Sequence, residues 1–256
     1  MQKSAEIRLN DTSLTFAKGL AVLKCFDATS VALSVPEIAK RCDLDRAVAR
    51  RLVLTLVRSG YVRQRGRAYV LSPGSLVLAA GLLHGQRFGS AVQPVMEGFA
   101  DQARQPLMLT VRDGHDAVYV AHAGGPGILP RLGFTLGSRL PLLSTAVGRA
   151  MVGAETPATR ATLLAEAPLT AWTERTVTER SRLAQVVAET PPGTAIRNDG
   201  EFEPGITATA VGFRCEGGEV AAVGHSAERA LYADPAAAER IETALVRCAE
   251  TLGTLL

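Results

Sequence analysis

The sequence predicts an α+β protein in two parts: a small helical module finished by a β-hairpin, then a larger domain around an antiparallel sheet. Three observations predict it. Asp45 to Gly60, DRAVARRLVLTLVRSG, has the periodicity of an amphipathic helix, with Val48, Ala49, Leu52, Val53 and Leu56 on one side. After residue 105, short strand-like runs and hairpin turns alternate with helical stretches, the pattern of a mixed domain with an antiparallel sheet. Charge divides at the same place. Residues 1–75 hold 13 Lys and Arg against 6 Asp and Glu, a net +7, while the remaining 181 hold 15 against 19, a net −4. A basic first third on an acidic remainder is the distribution of a nucleic-acid-binding module attached to something else.

In chain order, residues 1–12 read as a loose tail. Leu14 to Phe26 reads as a helix lined by Phe16, Ala17, Leu20 and Leu23, with Gly19 requiring close packing. Asp27 to Leu33 reads as a loop. Ser34-Val35-Pro36-Glu37 is a capping box with proline in the first turn, opening a short helix to Arg41 that buries Ile38 and Ala39. Cys42-Asp43-Leu44 is a tight connection into the next helix, for which Asp45 is a suitable N-cap and Gly60 a suitable left-handed stop. Two helices joined so closely form a helix-turn-helix. The outer arc of the second carries Arg46, Ala47, Arg50, Arg51, Thr55 and Arg58, and no acidic residue separates Arg46 from Arg58. A solvated basic face is one reading of that arc. The neighbouring elements favour an anion-binding surface instead. Tyr61–Arg63 and Ala68–Val70 flank Gln64-Arg65-Gly66-Arg67 as a hairpin carrying Arg63, Arg65 and Arg67, the wing of a winged helix.

Ser72-Pro73-Gly74 breaks the chain, and the helix from Ser75 to Gly85 is uncharged and apolar nearly all round, with Leu76, Val77, Leu78, Leu82 and Leu83. Such a surface must be covered, either within the chain or by the same helix of a second copy. Residues 73–90 therefore read as a coupling and dimerising linker, following a DNA-binding domain at 13–72. In the domain at 91–256, a helix spans Ala91–Gln105 and is stopped by Pro106. Strand-like runs at 107–112 and 117–121 enclose the turn Asp113-Gly114-His115-Asp116. Gly124-Gly125-Pro126-Gly127 reads as a mobile loop. Ser144-Thr145 caps a helix through Val152, helices follow at 159–166 and 179–189, strands at 194–196, 206–213 and 220–226, and a last helix at 235–256.

Composition excludes several classes. Hydrophobic content of 47% with 21% charged residues is that of a globular chain, and no apolar run approaches 18 residues. The first residues lack an apolar signal core, so a cytoplasmic protein is expected. Cys25, Cys42, Cys215 and Cys248 form no C-x-x-C pair and read as reduced thiols. Four scattered histidines give no metal pattern, so neither a metal nor a cofactor is expected.

The segments SLTFAKGLAVLKCF, LSVPEIAKRCDL, ARRLVLTLVRSGYV and RLPLLSTAVGRAMVG resemble the IclR family of bacterial transcription regulators, nearest the branch controlling aromatic-acid catabolism. The resemblance runs from Ser13 to the C-terminal helix and is looser after Thr156. It implies a GAF-like sheet whose helices cup a small-molecule pocket. Three segments bring small and polar groups together there: Ser144, Thr145 and Ala146 at a helix N-terminus that favours an anion, Asn198, Asp199 and Glu201 before a strand, and Gly224, His225 and Ser226 at the end of another. By resemblance these correspond to the effector pocket, with Ala208 also facing it; capping, turn solvation and ordinary strand packing are the alternatives for the same residues. The expected partners are operator DNA, a small organic acid, and a second copy of the chain in a homodimer or tetramer. The rival class is a hydrolase with Ser226 as nucleophile. Gly224-His225-Ser226-Ala227-Glu228 stops one residue short of a nucleophile elbow, and no strand–turn–helix context supports it.

Overall fold

The computed structural model describes residues 12–27, 30–85, 91–124 and 135–256. The expected tail, the end of the linker and most of the Gly124–Gly127 loop lie outside the described residues, as do the side chains of Leu82 and Leu83. The chain divides into two compact units at Leu83 and His84.

The first unit contains α1 (Leu14–Lys24), α2 (Val35–Arg41), α3 (Arg46–Arg58), β1 (Val62–Arg65), β2 (Ala68–Leu71) and most of α4 (Gly74–Gly85). Its core gathers Val22, Phe26, Ile38, Ala49, Val53 and Tyr69. β1 and β2 pair antiparallel, and Leu33 adds a bridge to Tyr69 that anchors the loop before α2. Two expectations are corrected here, the buried face of α1 and the side-chain cap of α3, while the capping box at α2 is present. Of the expected face of α1 only Leu23 packs against the core; the buried residues are Val22 and, just beyond the helix, Phe26, while Phe16 is 67% exposed and Leu20 also faces outward. That short helix is apolar on two arcs, and Gly19 against Leu52 of α3 selects which is covered. At α2 the expected capping box closes on Glu37, whose carboxylate accepts from both the amide (2.7 Å) and the hydroxyl (2.6 Å) of Ser34. Asp45 takes the extended N-cap backbone but makes no side-chain cap bond to α3.

The second unit contains α5 (Gln93–Ala103), β3 (Leu107–Asp113), β4 (Asp116–Ala123), β5 (Arg139–Pro141), α6 (Ala146–Ala154), α7 (Pro157–Glu166), α8 (Arg180–Glu189), β6 (Ala195–Asp199), β7 (Ile206–Arg214), β8 (Val220–Glu228), α9 (Arg229–Tyr232) and α10 (Pro235–Leu255). Six strands form one antiparallel sheet in the order β5-β4-β3-β8-β7-β6. α6 lies on one face of it. α10 packs on the other together with α5, to which it is tied by Arg240 Nε donating to the Ala103 carbonyl at 3.2 Å. The approach of α6 is possible only over glycine: a Cβ on Gly212 would sit 2.0 Å from the Ala150 carbonyl oxygen, and one on Gly224 would sit 2.7 Å from Val147. β6 runs on to Asp199, so Asn198 and Asp199 end a strand where a turn before one is expected.

Candidate DNA interface and ligand cavity

On α3 the residues of the expected outer arc, Arg46, Ala47, Arg50, Arg51, Thr55 and Arg58, are all exposed. Arg63, Arg65 and Arg67 are exposed on the hairpin, whose tip is closed by Gln64 Nε2 donating to the Gly66 carbonyl at 2.9 Å. Among the described residues of this unit, the one ion pair joins Arg41 and Asp27. None of the described residues gives a guanidinium of α3 or the hairpin a carboxylate partner. Thr55 spends its proton on the Arg51 carbonyl (2.9 Å) and can offer DNA only an acceptor.

A cleft of about 500 Å³, solvent at its mouth included, opens on the α6 side of the sheet. Met108, Leu140, Val147, Phe202, Ile206 and Ala208 give it apolar walls, with Thr145, Ala146, Asn198, Glu203 and Ser226 at its polar parts. Among the described residues, no Lys or Arg lines it. Thr145 is the N-cap of α6: its Oγ1 accepts the Gly148 amide (3.2 Å) and donates to the Pro141 carbonyl (2.8 Å). No protein acceptor among the described residues takes the amides of Ala146 and Val147. Two N–H groups left open at a helix start are a group a carboxylate can bind without help from a cationic side chain.

Strand alternation sorts the β7–β8 residues. Ala208 pairs with Ser226 and Ala210 with Gly224 on the α6 face, whereas the Thr209–His225 pair between them turns to the opposite face. His225 and Thr209 thus border the cleft with their backbone. The His225 ring instead joins the Tyr232 hydroxyl (Nδ1, 2.8 Å) and Gln105 Oε1 (Nε2, 3.3 Å). Burial holds its pKa down at about 4. Ser226 and His225 consequently do not make a nucleophile–base pair. Gly224 packs under Val147 rather than lining the cleft.

Ser144, Asp199 and Glu201 build the support behind it, and Asn198 ties that support to the lining. Ser144 lies off the cleft, its hydroxyl donating to the Thr170 carbonyl at 3.4 Å. Asn198 holds the Ser144 carbonyl (2.9 Å) and accepts the Glu201 amide (3.3 Å). Asp199 accepts from Thr207 (2.8 Å), Arg229 (2.8 Å) and Arg175 (3.0 Å). Burial pushes its pKa up, and these bonds and charges outweigh that to leave it low. Glu201 is bound by Arg149 from α6, and the Val177 amide adds a third bond at 3.0 Å. Burial again works to raise the carboxyl, and the arginine's bonds and charge hold it below its usual range. Phe202, Glu203, Ile206, Met108, Leu140 and Val147 were not among the expected cleft residues. Period-two alternation from Ala208 points to Ile206; nothing in the sequence marks the others.

A winged helix-turn-helix with an exposed row of arginines, joined to a sheet domain with an apolar cleft, defines a DNA-binding regulator with a ligand domain. Family models agree: the IclR helix-turn-helix domain matches residues 15–66, and the bacterial transcriptional regulator IclR C-terminal domain matches residues 80–254. The chain belongs to the IclR family of bacterial transcriptional regulators, and is not an enzyme. It is 28% identical to the Pca regulon regulatory protein of Pseudomonas putida over 83% of this chain and 73% of that one. An IclR family transcriptional regulator of Brucella abortus shares the fold, with TM-score 0.79 and 24% identity over 100% of this chain and 97% of that one. So does an IclR homolog of Microbacterium hydrocarbonoxydans complexed with 4-hydroxybenzoate, with TM-score 0.73 and 22% identity over 93% and 98%.

Proposed function

We propose that this regulator is a cytoplasmic homodimer that reads an operator through α3 and its wing and releases or retunes it on binding a small aromatic carboxylic acid. The observation that carries the DNA half is the arc of exposed arginines without carboxylate partners. For the ligand half, the cleft supplies two helix-start amides for a carboxylate and Met108, Leu140, Phe202 and Ile206 for a ring. The pca regulator similarity and the 4-hydroxybenzoate complex of a relative support that class. α4 presents Leu76 and Val77, 69% and 71% exposed in the single chain, as the surface for a second copy, and pairing of such dimers would give the tetramer. An effector need only favour one arrangement of the linker helices, and its leverage on DNA cannot exceed its differential affinity for the two arrangements. A thermal-shift series with benzoate, 4-hydroxybenzoate and acetate tests the ligand class. The aromatic acids raise the melting temperature and acetate does not; equal shifts by all three, or none by the aromatics, would contradict it.

A further inference from the structure

We propose that Cys25 and Cys42 form a modification site: a dithiol that a peroxide or organic hydroperoxide converts into an intrachain disulfide within the DNA-binding unit. The two Sγ atoms lie 3.3 Å apart although 17 positions separate them in sequence. A disulfide is about 2.05 Å long, so the sulfurs must close by only a little over an ångström. Both residues are half-buried, within reach of a small oxidant.

Their positions give the bond a consequence. Cys25 follows the last turn of α1, and Cys42 is the C-cap of α2, the first residue of the turn into α3. That turn is tightly set: Asp43 has φ +51°, and the Leu44 amide donates to the Ala39 carbonyl at 2.9 Å. Arg41 Nη1 also donates to the Cys25 carbonyl at 3.2 Å, so the two helix ends are already joined beside the sulfurs. A disulfide pulls the start of the turn toward α1 and shifts the entry of α3.

The chemistry balances with one peroxide. Burial and the neighbouring Cys42 sulfur push the Cys25 thiol up to about 12, so it stays protonated while donating to the Val22 carbonyl at 3.0 Å. With the Cys25 proton held on the Val22 carbonyl, Cys42 is the sulfur that attacks. Its thiolate takes one peroxide oxygen, the O–O bond breaks, and the departing alkoxide or hydroxide collects the proton Cys42 gave up. The resulting sulfenic acid is attacked by Cys25 sulfur, the S–OH bond breaks, and the Cys25 proton leaves in water. Two thiols and one hydroperoxide give one disulfide, one alcohol (or water) and one water. Two electrons pass from sulfur to the O–O bond. Cys215 and Cys248 are buried in the second unit, where burial also pushes both thiols up, and they serve as internal controls.

The test treats the full chain with hydrogen peroxide and counts free thiols, maps cross-linked peptides by mass, and measures operator affinity before and after. Free thiols should fall from four to two, with one Cys25–Cys42 peptide pair and no cross-link between chains. Operator affinity should drop about tenfold, the scale of one lost base contact, and return with dithiothreitol. Cys25→Ser and Cys42→Ser should each bind operator normally and lose this response to peroxide. A folded wild-type chain that keeps four thiols, a bond involving Cys215 or Cys248, or a fully cross-linked chain with unchanged operator affinity would each overturn the proposal. The mapping uses the wild type, so it stands even where a serine variant folds poorly.

Discussion

Arg149 and Glu201 meet through two parallel hydrogen bonds, Nη1 to Oε1 at 2.8 Å and Nη2 to Oε2 at 2.6 Å, with the Arg149 side chain only 2% exposed. The third guanidinium donor, Nε, reaches the Leu143 carbonyl at 2.8 Å. One arginine therefore fixes the start of α6 to the loop after β6, the two walls between which the cleft opens. Removing one partner strands a buried charge. Arg149→Leu should destabilise the second unit by roughly 3–5 kcal/mol, and Arg149→Leu with Glu201→Leu by much less. Urea unfolding of the two variants checks this, and equal losses would mean the pair has no coupling.

Acid should weaken the second unit before its carboxylates matter. The unfolded chain takes up a proton at His225 near pH 6.5, which the folded chain refuses until about 4. The unfolded state binds more protons in that window, so stability is complete above it and falls as pH drops through it. The loss approaches roughly 3 kcal/mol at the lower end. Tyr232 and Gln105 face the ring, and Arg197 stacks over Tyr232 with its centre 5.2 Å from that ring's centroid. Glu201, held low in the fold, adds its own loss only below its ordinary value of 4.5. Unfolding midpoints at pH 7.5 and 5 isolate the histidine: His225→Gln should flatten the difference, and an unchanged slope would assign it elsewhere.

The sequence was most legible where local periodicity and turn chemistry decide the structure. DRAVARRLVLTLVRSG could bury only one arc, and the Arg-rich hairpin had a single turn, so the exposed arginine face could be read residue by residue. The cleft was legible in part. Thr145, Ala146, Asn198, Ala208 and Ser226 line it, and His225 borders it only by its backbone while its ring turns away, because neighbours on a strand face opposite ways. Asp199 and Glu201 are engaged by Arg175, Arg229 and Arg149, partners between 24 and 52 positions away, which no local pattern reports. The reversed face of α1 has the same origin, because the choice between two apolar arcs rests on a contact with α3.

The exposed stripe of α4 predicts the oligomer. Val77→Glu, alone or with Leu76→Glu, should shift the protein toward monomer and weaken operator binding, since two half-sites are then no longer held together. Light scattering at matched concentration measures the mass. A dimer that survives both substitutions would place the interface elsewhere.

On the proposed reading, α3 reads bases while the wing holds backbone. A bidentate arginine discriminates among bases by roughly 1–3 kcal/mol, whereas a phosphate contact adds affinity with little sequence preference. The most direct measurement is the affinity of Arg50→Ala and Arg65→Ala for operator and for unrelated DNA across a salt series. Arg50→Ala should lose discrimination at one position of each half-site while its affinity for unrelated DNA changes little. Arg65→Ala should weaken binding to every sequence alike and lower the salt slope by about one counterion per subunit. If Arg50→Ala instead weakens operator and unrelated DNA by the same factor, with no base preference lost, α3 is not the reading helix and the account of this site is wrong.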